Sequence, residues 1–248
     1  MRSRSSVESP TTNSLSRWTD ALLEIFFPPA CVACRRVTPG STAFCLGCEL
    51  ELERIPKRHC QRCAEPGDFE SDHCPRCELR PPPFSRVFAP FLHHGPIARA
   101  IHQFKYEDHP ELAPALAALV IREAQDFLGT APKNVCAIPL HRKRLWRRKY
   151  DQAQLLSYEI ARGTQRQHAQ CLRRSRDTRR QVGLTEAQRE QNVARSFEAL
   201  RQFDGESLLL VDDVVTTGAT ARSAALALRA AGAREVQVLA IARAFTQT

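Results

Sequence analysis

The run Leu208-Leu209-Leu210-Val211-Asp212-Asp213-Val214-Val215-Thr216-Thr217-Gly218-Ala219-Thr220 constrains the fold more than any other part of this chain. Leu208 to Val211 form a short unbroken apolar stretch, the pattern of a strand buried on both faces of a parallel sheet. Small and hydroxylated residues follow from Thr216 to Thr220, and a helix is predicted from about Ala221 to Ala231. Backbone N–H groups at such a helix entrance, with the helix dipole behind them, suit a phosphate. Asp212 and Asp213 are predicted at the carboxyl end of the strand, where open α/β sheets bind their ligands. Carboxylates repel a bare anion but suit the hydroxyls of a sugar, so the loop calls for a sugar phosphate.

All thirteen positions resemble the binding signature of the type I phosphoribosyltransferases, which hold 5-phosphoribosyl-1-pyrophosphate (PRPP). The resemblance implies that Asp212 and Asp213 contact the ribose 2- and 3-hydroxyls. It also implies that Thr216, Thr217, Gly218, Ala219 and Thr220 wrap the 5-phosphate.

Eight of the ten cysteines form four C-x-x-C pairs: Cys31/Cys34, Cys45/Cys48, Cys60/Cys63 and Cys74/Cys77. The second four repeat the first four at an offset of 29 residues, so the segment is an internal duplication. Two close-spaced thiolate pairs per repeat provide the four soft ligands that tetrahedral zinc requires. A segment so poor in large apolar residues lacks a core of its own, and metal binding supplies the folding energy. Two structural zinc ions are expected. The repeat favours one per repeat over a site shared between repeats. Cys136 and Cys171 stand apart and read as ordinary buried cysteines.

The chain has 248 residues, enough for one α/β domain and a small appendage. Its 36 Lys and Arg exceed its 27 Asp and Glu, which favours a polyanionic partner, either nucleic acid or a pyrophosphate. No apolar run approaches the roughly 20 residues of a membrane span. The stretch Ala21 to Phe27 is short and contains Glu24, so it does not read as a signal peptide. A cytoplasmic protein is expected.

Residues 1–14 read as a disordered polar tail. Residues 15–80 hold an amphipathic helix on Leu15, Trp18, Leu22, Ile25 and Phe26, followed by the cysteine repeats. Pro81-Pro82-Pro83 reads as a stiff linker, with the α/β domain spanning 84–248. Within it, an edge strand is predicted at Arg86 to Phe91, helices at Pro96 to Phe104 and Glu111 to Phe127, and a strand at Val135 to Ile138. A helix at Asp151 to Arg162 and a final strand at Val236 to Ala242 complete the pattern. Alternating strands and helices give a parallel sheet with helices on both faces.

Pro139 to Lys149 contains six Lys or Arg residues and is read as a cationic loop after a strand. His141, Arg142, Arg144 and Arg148 would hold a pyrophosphate by charge-assisted hydrogen bonds. Single-stranded DNA could use the same loop, with Trp146 as a stacking face. The arginine-rich stretch Arg173 to Asn192 suits a mobile loop closing on an anion, or a nucleic-acid contact.

Together these pieces resemble the ComF family of competence proteins, in which a double zinc ribbon precedes a phosphoribosyltransferase domain. Besides the motifs above, the likeness rests on Ile101-His102-Gln103-Phe104-Lys105-Tyr106, Ile138-Pro139-Leu140-His141, Arg176-Asp177-Thr178 with Gln181 and Gly183-Leu184, and Asn192-Val193. Where the family usually has Gly-Phe-Asn-Gln, this chain has Lys149-Tyr150-Asp151-Gln152, and Arg179 stands where Pro or Lys often follows the Asp-Thr pair. The family implies a double zinc ribbon followed by a type I phosphoribosyltransferase-like α/β domain, and a role in natural transformation that handles incoming single-stranded DNA, with other DNA-uptake proteins as partners. It implies PRPP with Mg2+, and Lys105 joins the pyrophosphate side. Chemistry, where it occurs, would displace pyrophosphate from C1 of PRPP. Purine-salvage relatives carry an acid after Val215 that can serve as base, whereas this chain has Thr216. His141 is the candidate base elsewhere, although a histidine after a strand is more often structural or phosphate-binding. No catalytic residue is assigned. The alternative to the DNA-uptake role is an active transferase that moves ribose 5-phosphate from PRPP to a small nucleophile or base.

Overall fold

A computed structural model of the chain describes residues 29–38, 42–175 and 196–245. The expected amino-terminal tail and amphipathic helix, and most of the arginine-rich stretch after Ser175, lie outside the described residues. Two short helices, α1 (Leu46–Leu50) and α2 (Pro75–Leu79), belong to the cysteine repeats. The remainder runs β1 (Arg86–Phe88), β2 (Phe91–Leu92), α3 (Gly95–Tyr106), a 3₁₀ turn at Pro110–Leu112, α4 (Ala113–Glu123) and α5 (Gln125–Thr130). Then come β3 (Asn134–Ala137), α6 (Arg142–Arg148), α7 (Gln152–Gly163), β4 (Gln167–His168), β5 (Leu172–Arg174), β6 (Phe197–Ala199), β7 (Ser207–Val215), α8 (Ala219–Ala230) and β8 (Glu235–Arg243).

The sheet order is β1-β8-β7-β3-β4, with β2 also on β8 and every pair parallel. Alternation along the two long central strands sorts their side chains onto two cores. Leu209, Val211, Leu239 and Ile241 pack with Ile97, Ile101 and Phe104 of α3, Leu116 and Val120 of α4, and Leu156 and Ile160 of α7. Leu208, Leu210, Val236, Val238 and Ala240 pack with Ala221, Ala224, Ala225 and Leu228 of α8. Helices therefore cover both faces, as the sequence predicts, and β1 with β2 forms the expected edge, interrupted at Pro90.

Several elements differ from the reading above. The strand at Leu208 does not stop before the carboxylates. It pairs with β8 as far as Val215↔Arg243, so Asp212 and Asp213 lie inside the strand, as its sixth and seventh residues. Helix α8 begins at Ala219 instead of Ala221, placing Thr220 in its first turn. The segment Glu111 to Phe127 is not one helix. Pro114 fits only a first turn, so α4 begins at Ala113, and the chain bends at Ala124 to lay Phe127 on Phe88 at a 5.1 Å ring separation. The cationic loop is a helix, α6, started by His141, whose ring accepts the Lys143 N–H. The hairpin β5–β6 escaped prediction because each strand has three residues and little apolar period. Cys136 and Cys171 are both buried, as expected, and their side chains hydrogen-bond to each other.

Candidate functional site

The carboxyl ends of β3 and β7, the end of α3 and one side of α6 enclose a cavity of about 870 Å³. Asp212, Asp213, Thr216 and Thr220 line it, and Arg144, Arg147, Arg148 and Lys149 form its basic wall. Lys105 and Tyr106 enter from the end of α3. Seven of the predicted anion- and sugar-binding residues thus meet here: Asp212, Asp213, Thr216, Thr220, Arg144, Arg148 and Lys105. Thr217 and Gly218 face the other way, onto a space of only about 10 Å³ beside Cys63 and Cys77. His141, Arg142 and Ala219 line neither.

Gly218 has a φ of 78°, the left-handed conformation in which a Cβ is strained, so a glycine there lets the strand turn directly into α8. The Ala219 N–H donates to Thr217 Oγ1 at 3.3 Å, folding the loop on itself. Thr220, in the first turn of α8, lines the cavity together with Thr216.

Lys105 Nζ lies 2.7 Å from Asp213 Oδ1, and both side chains are mostly buried. Asp212 sits beside this pair with its pKa pushed up to about 8. Desolvation is the largest cause and the like charge of Asp213 comes next. The Lys105 cation and the Asp213 N–H, which donates to Asp212 Oδ1 at 2.9 Å, oppose them. Asp151, under the cavity, accepts the Leu140 N–H at 2.7 Å and the Gln154 N–H at 3.2 Å. It therefore caps α7 while tying the Pro139–Leu140 turn in place, and burial raises its pKa. His93, which the motifs do not flag, is held below its usual range by burial and by Lys105, with Asp213 acting against them.

On the basic wall, Arg148 stacks over the Tyr106 ring at 4.7 Å and donates to Gln152 Oε1 at 3.1 Å, bringing α6 onto α3 and α7. Trp146 points away and is 88 % exposed. Lys149 ends α6 in the left-handed conformation, with φ 65°, where the family resemblance puts glycine. Its ammonium instead pairs with Asp108 across the cavity mouth. Sequence reasoning passed over Tyr106, Asp108 and Asp151 as site residues, while Arg174 enters the cavity from the stretch read as closing on an anion. Tyr106 and Asp151 lie in the motifs quoted above, and motif membership is the signal that could have found them.

The duplication is carried into three dimensions residue by residue. Cys31 N–H donates to Arg36 O and Cys60 N–H to Glu65 O, each at 2.8 Å. Bridges Ala30↔Val37 and His59↔Pro66, left-handed residues Arg35 and Ala64, and helices α1 and α2 all recur at the same 29-residue offset. Within each repeat the four sulfurs lie within 4.8 Å of one another. Cys34 and Cys45 sulfurs are 3.6 Å apart, and those of Cys63 and Cys74 are 3.7 Å apart. Ligands about 2.3 Å from a tetrahedral zinc stand about 3.8 Å from each other, so the spacing fits a metal and not a disulfide of about 2.05 Å. The sites are Cys31, Cys34, Cys45, Cys48 and Cys60, Cys63, Cys74, Cys77, one per repeat. The first belongs to the main core, where Gln103 Nε2 donates to Ala33 O at 2.9 Å, whereas the four cysteines of the second form a cluster of their own with Phe69 packed against it.

Residues 22–78 match the double zinc ribbon domain and residues 170–247 the phosphoribosyl transferase domain. The chain is 31% identical over 222 residues to the DNA utilization protein YhgH of Escherichia coli strain K12, spanning 87% of this chain and 97% of that protein. It belongs to the ComF family. Competence protein F of Haemophilus influenzae is 29% identical over 228 residues, covering 88% of this chain and 99% of that one. Among solved structures, the glutamine PRPP amidotransferase of B. subtilis aligns over 56% of this chain and 30% of its own, at 24% identity and a TM-score of 0.41. The fold is a type I phosphoribosyltransferase-like α/β sheet with an amino-terminal double zinc ribbon. Among the described residues, no helix is long and apolar enough to cross a membrane.

Proposed function

We propose that the cavity binds PRPP and that the protein serves DNA uptake, as the names of its relatives indicate for them, by handling incoming single-stranded DNA in the cytoplasm. One observation carries the reading: a carboxylate pair, a hydroxylated helix entrance and four cations line one and the same cavity. Asp212 and Asp213 would take the ribose hydroxyls, Thr216 to Thr220 the 5-phosphate, and Arg144, Arg148 and Lys105 the pyrophosphate. His141 and Arg142, at the outer start of α6, would add charge rather than contact. The oxygen-only donors Asp212 and Asp213 suit a hard cation, and Mg2+ arriving with PRPP would neutralise pyrophosphate charge there. The outward face of α6, with Trp146 among arginines, would take the single strand by stacking and phosphate contacts, which places the two ligands on opposite sides of one short helix.

Calorimetric titration of PRPP with Mg2+ tests the first part. Asp212→Ala with Asp213→Ala should abolish binding while the fold persists, and wild-type affinity in that variant refutes the ribose role. Removing Arg142, Lys143 and Trp146, residues of α6 that do not line the cavity, should weaken single-stranded DNA binding and flatten its salt dependence, whereas an unchanged slope places the DNA elsewhere. A second reading, transfer of ribose 5-phosphate to a small nucleophile, is favoured by Asp212, a cavity carboxyl with its pKa near neutrality. His141 is a poor base for it, because its ring caps α6 and lies off the cavity.

A further inference from the structure

The rear of the Thr216–Thr220 loop is built against the second cysteine repeat. Arg243, at the end of β8, is 1 % exposed, and its guanidinium pairs with the carboxylate of Glu65, two residues after Cys63. The same guanidinium donates to Val215 O at 3.2 Å and to Ala244 O at 3.1 Å. Val215 is the residue from which the loop departs, and its carbonyl also accepts the Ala244 N–H at 2.8 Å. On the other side of the loop, Arg222 in α8 donates to Pro81 O at 3.3 Å and Arg80 O at 3.2 Å, just beyond Cys77. Its own N–H returns to Gly218 O at 2.8 Å. The repeat is in turn fixed to the sheet edge, since Val87 N–H donates to Arg62 O at 2.9 Å and Arg62 to Cys77 O at 3.3 Å. The space left between Thr217, Gly218 and the Cys63/Cys77 side is about 10 Å³, room for one water at most.

We propose that the second ribbon is the rear support of the phosphate loop, with Glu65, Arg243 and Arg222 as positioning residues for the 5-phosphate side of the ligand. The inference rests on reading the cavity as a PRPP site. Both ends of a loop that must hold its amides toward an anion are tied to the ribbon: the entry by Glu65–Arg243–Val215, the exit by Arg222–Pro81. Neither tie touches the basic wall on α6. Loosening the ribbon should therefore weaken recognition of the sugar 5-phosphate and leave the pyrophosphate side alone.

The test uses the full chain with its zinc. Glu65→Leu with Arg243→Met removes both charges together, avoiding a buried unpaired guanidinium. Arg222→Met cuts the second tie at the surface and serves where the double variant does not fold. Each variant should keep two zinc ions, show faster amide exchange at Thr216 to Thr220, and bind ribose 5-phosphate about threefold to thirtyfold more weakly. Its affinity for inorganic pyrophosphate should be unchanged. Unaltered loop exchange and unaltered ribose 5-phosphate affinity in a folded, zinc-loaded variant overturn the proposal, as does an equal loss for both ligands. Wild-type protein that binds neither ligand overturns the PRPP reading instead, and the exchange rates then decide the rear support alone.

Discussion

Lys105→Met should destabilise the protein by an amount that grows with pH. Lys105 and Asp213 meet at 2.7 Å with side chains 17% and 11% exposed, so removing the cation leaves Asp213 shielded from water and uncompensated. Breaking a buried pair typically costs about 3–5 kcal/mol, and the residual exposure here puts the expectation near the lower end, about 3 kcal/mol. For a chain of this size that is a fall in Tm of roughly 6–12 °C. Asp212 gives the pH dependence. Its carboxyl is raised to about 8 in the folded state, against about 3.9 unfolded, so the native protein holds an extra proton between those values and loses stability as pH rises through them. Lys105 is one of the groups pulling that value down. Without it the proton is held to still higher pH, so the Asp212 share of the cost is absent while the carboxyl is protonated in both proteins and develops only as pH rises through about 8. Adding Asp213→Asn to Lys105→Met removes the stranded charge and should restore at least half of the loss. Urea unfolding of the two single variants, the double variant and wild type at pH 6, 8 and 9.5 measures this cycle. A loss that does not vary with pH, or a double variant no more stable than Lys105→Met, would show that Lys105 acts through packing and not through charge.

Zinc removal by a strong chelator should unfold the second ribbon before the first. The four cysteines of the second repeat form a cluster of their own with Phe69 against it, and among the described residues only Ala64 of that repeat joins a sheet core, whereas Cys31, Val32, Ala33, Phe44, Cys48 and Leu52 of the first belong to the main core. Fluorescence and exchange protection recorded alongside zinc release test this, with two ions per chain expected; simultaneous loss of both ribbons would count against it. Lys149→Gly should stabilise α6 by about 0.5–1 kcal/mol, because Lys149 holds a φ of 65° and its ion pair with Asp108 is exposed. Thermal unfolding measures it, and a decrease would mean that the Asp108 pair outweighs the backbone strain.

The parts of the fold that could be read from the chain are those whose pattern has one physical solution. Leu208 to Val211 have no polar residue to turn toward water, so burial on both faces follows. The cysteine duplication predicts both the ligand sets and their separation, and the backbone repeats it down to the left-handed Arg35 and Ala64. Boundaries were harder where tertiary contacts extend or cut an element. Val214 and Val215 stay in the strand because β8 runs beside them, a neighbour that no local pattern in β7 encodes. The three-residue strands β5 and β6 are held by pairing with each other, and isolated they carry almost no signal.

Legibility of the site divides the same way. Asp212, Asp213, Thr216 and Thr220 came from one contiguous run, and contiguity was enough to bring them to one surface. Arg144 and Arg148 met them because α6 follows β3, the parallel neighbour of β7, so two successive carboxyl ends open on the same space. Orientation was the part a run of letters could not carry. Thr217 and Gly218 belong to the same signature yet turn to the ribbon, and of the cations on α6 only part face inward, with Trp146 directed to solvent. That division has a consequence for function. A loop whose front residues meet the cavity while its rear residues meet a metal ribbon has its conformation set by both, which gives the ribbon a reason to accompany a sugar-phosphate site even where no chemistry follows.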